Sequence, residues 1–321
     1  MNECIQIENL VMRFRGCEAL RGVDLTIPTG SVYSLLGENG AGKTTLIRIL
    51  TGFQRQTSGT VRVLGLDPVR DSLEIRRRIG YVSDAPALYD WMKVDEIGSF
   101  ASSFYSPGYL NNYQELISRY ELPAGRKIKH LSKGQRAKVA LALAVSNDPE
   151  LLILDEPTSG LDPLVRREFL ESMVERAATG RTVLLSSHQM SEIERVADRT
   201  AIIHDGKICL HGILAELRDE VVEVTFSVAD PLAVLPVIGG PAEILSEQKS
   251  GRQIRWIVRG YDSSIEKEVS DWPGVHSVRS RSATLEELFV ACTRGVAALP
   301  PNSEETDDET SSQAIVDHQL S

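Results

Sequence analysis

Between Gly37 and Thr45 the chain reads GENGAGKTT, directly after the apolar run VYSLL (Val32–Leu36) and leading into the helix-like stretch Lys43–Thr51. A Gly-x4-Gly-Lys-Thr sequence set between a buried strand and a helix is a phosphate-binding loop. Its glycines let the backbone wrap so that N–H groups face an anion, and the helix start adds positive potential. Gly37, Glu38, Asn39, Gly40, Ala41, Gly42, Lys43, Thr44 and Thr45 are therefore candidate nucleotide contacts. Lys43 is suited to the β- and γ-phosphates and Thr44 to Mg2+. A Gly-rich turn that carries Lys-Thr by chance is the bland alternative, and the strand-to-helix context argues against it.

Three more short apolar runs end in a residue of chemical interest: RIGYVS (Arg78–Ser83) before Asp84, LLIL (Leu151–Leu154) before Asp155-Glu156, and VLLSS (Val183–Ser187) before His188. Continuous apolar runs suit parallel strands buried on both faces. Helix-like stretches at Lys43–Thr51, Arg136–Ser146 and Leu164–Ala178 alternate with them. The expected fold is α/β with a mostly parallel sheet, and ligands in such sheets bind beyond the carboxyl ends of the strands. All four polar ends would then meet at one site. IIHDGKICL (202–210) reads as a hairpin about Asp205-Gly206. Beyond about Arg218 the pattern alternates, as in VVEVTFSV and QIRWIV, and TLEELFVAC (284–292) reads as a short helix opened by a Thr284/Glu287 capping box. The expected division is 1–218 for a nucleotide-binding domain with a helical subdomain at about 85–147, 219–297 for a small α+β appendage, and 298–321 for a disordered acidic tail.

Asp155 and Glu156 supply the carboxylates such a site needs: Asp155 for Mg2+, Glu156 to orient and deprotonate a water. HLSKGQRAKVAL (130–141) places Ser132 and Gly134 at a helix start, where backbone and hydroxyl can grip an anion. Two readings stand side by side. Ser132 is an ordinary helix N-cap, or it grips a nucleotide held by a second copy of the chain in a head-to-tail dimer with two sandwiched nucleotides.

The order GENGAGKTT, LSKGQ, LLILDEP, SGLD (159–162) and His188 resembles the nucleotide-binding domain of the ATP-binding cassette (ABC) family, over residues 1 to about 217. The resemblance implies a P-loop NTPase fold of ABC type, binding of ATP and Mg2+, and ATPase activity. It assigns Ser132, Gly134 and Gln135 to the γ-phosphate of the opposite subunit's ATP. It also assigns Phe14 to stacking on adenine, Asp162 to contact across the dimer, and His188 to the γ-phosphate and the attacking water. Phe14 as a core residue and His188 as a structural histidine remain the plain alternatives.

Two positions depart from the family pattern. Asp84 stands where a glutamine is usual, within reach of Mg2+ by type but shorter and charged, and Lys133 replaces a glycine of the signature.

The segment 81–120 holds nine of the chain's 18 aromatic residues. They build the core of a helical subdomain, or in part an exposed anchor set for a partner, with Tyr89 and Trp91 the candidates. No apolar stretch approaches the ~20 residues of a membrane span, and no signal peptide is recognisable, so a membrane role would run through a partner. The formal charge of −10 is concentrated in the last residues, where six acids stand without a Lys or Arg, and the body has no nucleic-acid-binding character. Four scattered cysteines suggest neither zinc nor disulfides and fit a reducing compartment.

The expected protein is the ATP-hydrolysing subunit of a transporter, peripheral on the cytoplasmic face through a separate permease, and by its ATLEELF ending similar to exporters of the ABC-2 type. The rival is a non-transport ABC ATPase working as a mechanical switch on ribosome or DNA. A small-molecule kinase would share the loop but leave LSKGQ unexplained.

Overall fold

The computed structural model describes residues 3–294, apart from 233, 234, 236, 237 and 239–241. The acidic tail and the last residues of the expected appendage lie outside the described residues.

The chain opens with β1 (Glu3–Phe14), β2 (Cys17–Pro28), β3 (Val32–Leu36), α1 (Lys43–Leu50) and β4 (Ser58–Val63). Next come α2 (Ser72–Arg78), β5 (Ile79–Val82), α3 (Val94–Ser102), α4 (Tyr109–Arg119) and α5 (Lys133–Val145). The chain continues with β6 (Leu151–Asp155), α6 (Pro163–Ala178), β7 (Thr182–Ser187), α7 (Met190–Val196), β8 (Arg199–His204), β9 (Lys207–Ile213) and α8 (Leu214–Glu220). The remainder is β10 (Val221–Val228), β11 (Glu243–Ser250), β12 (Gln253–Arg259), α9 (Ser263–Ser270), β13 (Val275–Ser282) and α10 (Leu285–Arg294).

A six-stranded sheet in the order β5-β6-β7-β3-β8-β9 carries the fold. Its first four pairings are parallel and only β8–β9 is antiparallel. The expected mostly parallel α/β architecture is therefore present, with the hairpin about Asp205-Gly206 at its edge. The apolar runs are continuous because both faces are covered. Tyr33, Leu35, Leu151, Ile153 and Leu184 point into one core with α1 and the three-stranded antiparallel sheet β2-β1-β4. Val32, Leu36, Leu152, Leu154, Val183 and Leu185 point into the other, with α5 and α6. Each such fully buried side chain contributes about 1.5–3 kcal/mol. The small antiparallel sheet has no clear mark in the sequence: β1 and β2 carry register shifts that blur their alternation.

Helices α3, α4 and α5 share a separate core of Met92, Val94, Ile97, Tyr113, Ile117 and Val139. Gly98 is required there: an added Cβ would lie 2.1 Å from the Tyr113 ring, whose hydroxyl donates to the Val94 carbonyl at 2.7 Å. The aromatic segment divides as its two readings allowed. Tyr109 and Tyr113 are buried, while Tyr89, Trp91, Phe100 and Phe104 are exposed.

The four-stranded antiparallel sheet β11-β12-β10-β13 holds its own core of Val224, Phe226, Trp256, Val269 and Trp272. Its last helix bridges to the larger sheet, with Glu287 held by Arg255 and Arg281 on one side. Leu285, Leu288, Phe289 and Ala291 of α10 join the core beneath the six-stranded sheet, together with Val221 and Ile257. The N-terminus of α10 is closed by the Thr284/Glu287 capping box, with the Thr284 N–H donating to Glu287 at 2.8 Å. The Leu285 N–H donates to Glu194 of α7 at 2.9 Å. Residues 219–294 and the preceding domain thus share a hydrophobic layer.

Candidate active site

The phosphate-binding loop follows β3 and wraps into α1. Gly42 is the N-cap of α1 at φ 114°, and a Cβ there would lie 2.8 Å from the Ala19 carbonyl, so only glycine fits without strain. The loop is tied to the β8–β9 turn, which is in turn tied to β2: the Gly206 N–H donates to the Ala41 carbonyl at 3.0 Å, and the Arg21 N–H to the Gly206 carbonyl at 2.8 Å. A cleft of about 320 Å3 opens over it, lined by Glu38, Asn39, Gly40, Gly42, Lys43, Thr44 and Thr45, by Asp84 and Glu156, and by Cys17, Glu18, Ala19, Arg21, Asp205 and Gly206.

Lys43 is 5% exposed, and its ammonium donates to the Gly37 carbonyl at 2.6 Å and lies 3.1 Å from Glu156 Oε1. Glu156 Oε2 lies 2.8 Å from Nδ1 of His188. One carboxylate therefore joins the loop lysine to the histidine at the end of β7. Glu156 has φ 50°, a left-handed conformation that non-glycine residues seldom adopt and that concentrates at functional sites. Ser186 holds it: the Glu156 N–H donates to the Ser186 hydroxyl at 3.1 Å and to its carbonyl at 3.2 Å. The same hydroxyl donates to Asp155 at 2.7 Å, which fixes the buried carboxylate at the end of β6.

Thr44, Asp155 and Asp84, the expected metal ligands, offer hard oxygen donors at or beside the cleft. Among the described residues no three acids, histidines or cysteines gather into an all-protein metal cage. A donor set of few protein oxygens beside a phosphate site fits Mg2+, which is usually held by one or two carboxylates together with substrate phosphates and water.

Other expected contacts lie elsewhere. Phe14 is 47% exposed at the end of β1, which rules out a core role; Cys17, opposite it in the β1–β2 pairing, lines the cleft. Ser132, Gly134, Gln135 and Asp162 are absent from the lining of this chain's cleft. Ser132 caps α5, with reciprocal bonds of 3.1 Å to Gln135. Lys133 lies across the next loop, its Nζ 2.4 Å from where a Cβ of Gly160 would be. Asp162 is the N-cap of α6 and is exposed.

Arg21, Ser186 and the pair Arg166–Glu192 escape a reading of the sequence. Ser186 pairs with Asp155 across two parallel strands, a register that no local pattern displays.

The family model described as ABC transporter matches residues 20–159, from the wall of the cleft through the loop to Asp155-Glu156. An uncharacterised ABC transporter ATP-binding protein of Nostoc is 38% identical over 62% of this chain and 61% of its own length. The chain thus spans less than two thirds of that relative. The daunorubicin resistance ATP-binding protein DrrA3 of Streptomyces coeruleorubidus is 32% identical over 90% of this chain and 95% of its own length. Among solved structures, an ABC transporter ATP-binding subunit superposes with a TM-score of 0.63 at 29% identity, over 67% of this chain and 92% of that one. A bacterial ABC transporter cassette solved as a dimer gives 0.59 at 25% identity, over 65% and 98%. The chain belongs to the ABC transporter family, as one of its ATP-binding proteins. Among the described residues no helix is long and apolar enough to cross a membrane.

Proposed function

We propose that this protein hydrolyses ATP to drive a separate membrane permease, and that the permease is an exporter. The carrying observation is the Lys43–Glu156–His188 chain at the mouth of the phosphate-binding loop. With ATP bound, Lys43 exchanges Glu156 for phosphate oxygens, and the carboxylate so released accepts a proton from the attacking water. His188, held at Glu156, sits where the γ-phosphate and that water meet. Catalysis is then positioning plus charge stabilisation. Mg2+, held by Thr44 with Asp155 or Asp84, would neutralise charge on the β- and γ-phosphates.

Ser132, Gly134, Gln135 and Asp162 serve the site of a second copy packed head to tail. Their exclusion from their own chain's cleft supports this, as does the dimeric relative. Phe14 flanks the adenine end. Exporter direction is supported by the likeness over almost the full length to a drug-resistance ATP-binding protein.

The permease docks at a groove of about 430 Å3 lined by Phe53, Tyr81, Leu88, Tyr89, Phe100 and Phe104. Tyr89 stacks edge-on against Phe100 at 5.7 Å, and Phe100 against Phe104 at 5.4 Å, so the exposed rings form one surface. Ser83 lines this groove while Asp84 lines the nucleotide cleft, so adjacent residues connect the two. Docked there, the protein works at the inner face of the membrane.

Phosphate release from MgATP by the purified protein, and co-purification with a multi-span membrane protein, test the reading together. Absence of hydrolysis with and without that membrane protein would refute it.

A further inference from the structure

Behind His188 lies a buried polar assembly with no part in the contacts described so far. Glu192 of α7 is 6% exposed. One of its carboxylate oxygens accepts from the Thr158 hydroxyl at 2.8 Å, and the other lies 2.9 Å from Nη1 of Arg166 on α6. That Nη1 also donates to the side-chain oxygen of Gln189 at 2.8 Å, and Nη2 donates to the Leu161 carbonyl at 3.2 Å. Gln189 is the N-cap position of α7, yet its side chain makes no capping bond, being turned to Arg166 instead.

The assembly spans two segments. Thr158 and Leu161 belong to the loop that follows Glu156, and Gln189 and Glu192 flank the start of the helix that follows His188. Arg166 joins them through a planar fork whose donors have a fixed geometry. A buried carboxylate is expensive, and an apolar pair would pack α6 against α7 at least as well. Fixed direction is what the charged version adds.

We propose that Arg166, Glu192 and Gln189 are positioning residues that set His188 against Glu156, so that the loop 158–162 and the histidine move as one body. The inference rests on the ATPase reading only for its kinetic consequence. The loop ends at Asp162, on the face offered to a second copy in that reading. Displacement of the loop there would be carried through Arg166 to Gln189, one residue from His188.

The test compares Gln189→Leu, Gln189→Glu and Glu192→Gln with the unsubstituted protein. Gln189→Leu and Glu192→Gln are expected to lower kcat about tenfold, with KM for MgATP changed by less than about threefold. Gln189→Glu, which keeps an acceptor for Arg166, should stay within about twofold. A second readout needs no hydrolysis: the His188 imidazole resonance in the nucleotide-free protein should move in Gln189→Leu but not in Ser191→Ala, an exposed change on the same helix. An unmoved resonance in Gln189→Leu overturns the inference. So does a fall in kcat that merely follows the folded fraction, or that Gln189→Glu shares equally. If the resonance moves but the unsubstituted protein hydrolyses no ATP, the positioning stands and the ATPase reading falls.

Discussion

Glu156 bears on three groups at once: Lys43 at 3.1 Å, His188 at 2.8 Å and the backbone of Ser186 through its own N–H. Its side chain is the only base in contact with both the loop lysine and the histidine among the described residues. Glu156→Gln keeps the shape and removes the basicity, so hydrolysis should fall by about 100-fold or more while MgATP still binds. Phosphate release and nucleotide titration on the same sample check this. Loss of binding in parallel would mean the carboxylate supports the loop rather than the reaction. How much of this site is readable in advance follows from how local each part is. GENGAGKTT is contiguous, so Lys43 and Thr44 are recognisable at once. Ser186 meets Asp155, and Arg166 meets Glu192 and Gln189, only through strand register and helix packing, and nothing near them in sequence marks these pairings.

Element boundaries follow the same logic. The buried strands β3, β6 and β7 were visible because apolar residues serve both faces. The docking side of α10 was not, because its stripe of Leu285, Leu288 and Phe289 suits any core; packing turns the stripe to the core beneath the six-stranded sheet while Glu287 stays on Arg255 and Arg281. Two predictions belong here. Gly98→Ala drives a methyl into the Tyr113 ring of the neighbouring helix, and should destabilise the α3–α4 pair by about 1–3 kcal/mol. A lowered Tm with unaltered nucleotide binding is the expected result. The second concerns acid. Burial by itself would raise the Glu287 carboxyl, but hydrogen bonds from Arg281 and Thr284 outweigh it and hold the pKa at about 2, below the ordinary 4.5. A depressed carboxylate stabilises the fold above the unfolded value, and that contribution is lost as pH falls from about 4.5 toward 2. Glu223, Arg255 and Arg281 complete the ion cluster that ties α10 to β10, β12 and β13. Glu287→Gln should therefore be less stable than the unsubstituted protein at pH 7, with the gap narrowing toward pH 3. Urea unfolding followed by tryptophan fluorescence measures it; an equal gap at both pH values contradicts the assignment.

At the scale of the molecule, two exposed surfaces carry the proposed partnerships. Tyr89, 49% exposed, lines the aromatic groove, and Trp91, 65% exposed, lies beside Tyr89 with ring centroids 6.1 Å apart. Alanine at both should abolish stimulation of ATPase by the permease and leave the basal rate within about twofold. Unchanged stimulation would move the docking surface elsewhere. The other surface is the start of α5, where Ser132 caps its helix but is exposed and outside its own chain's cleft. In the proposed reading a complete site takes two molecules. The most direct measurement is sedimentation velocity of Glu156→Gln with and without MgATP, beside the same protein carrying Ser132→Arg. The composite site predicts that MgATP converts Glu156→Gln to a dimer and leaves the doubly substituted chain monomeric. A monomer throughout, or equal dimerisation of both, would contradict it.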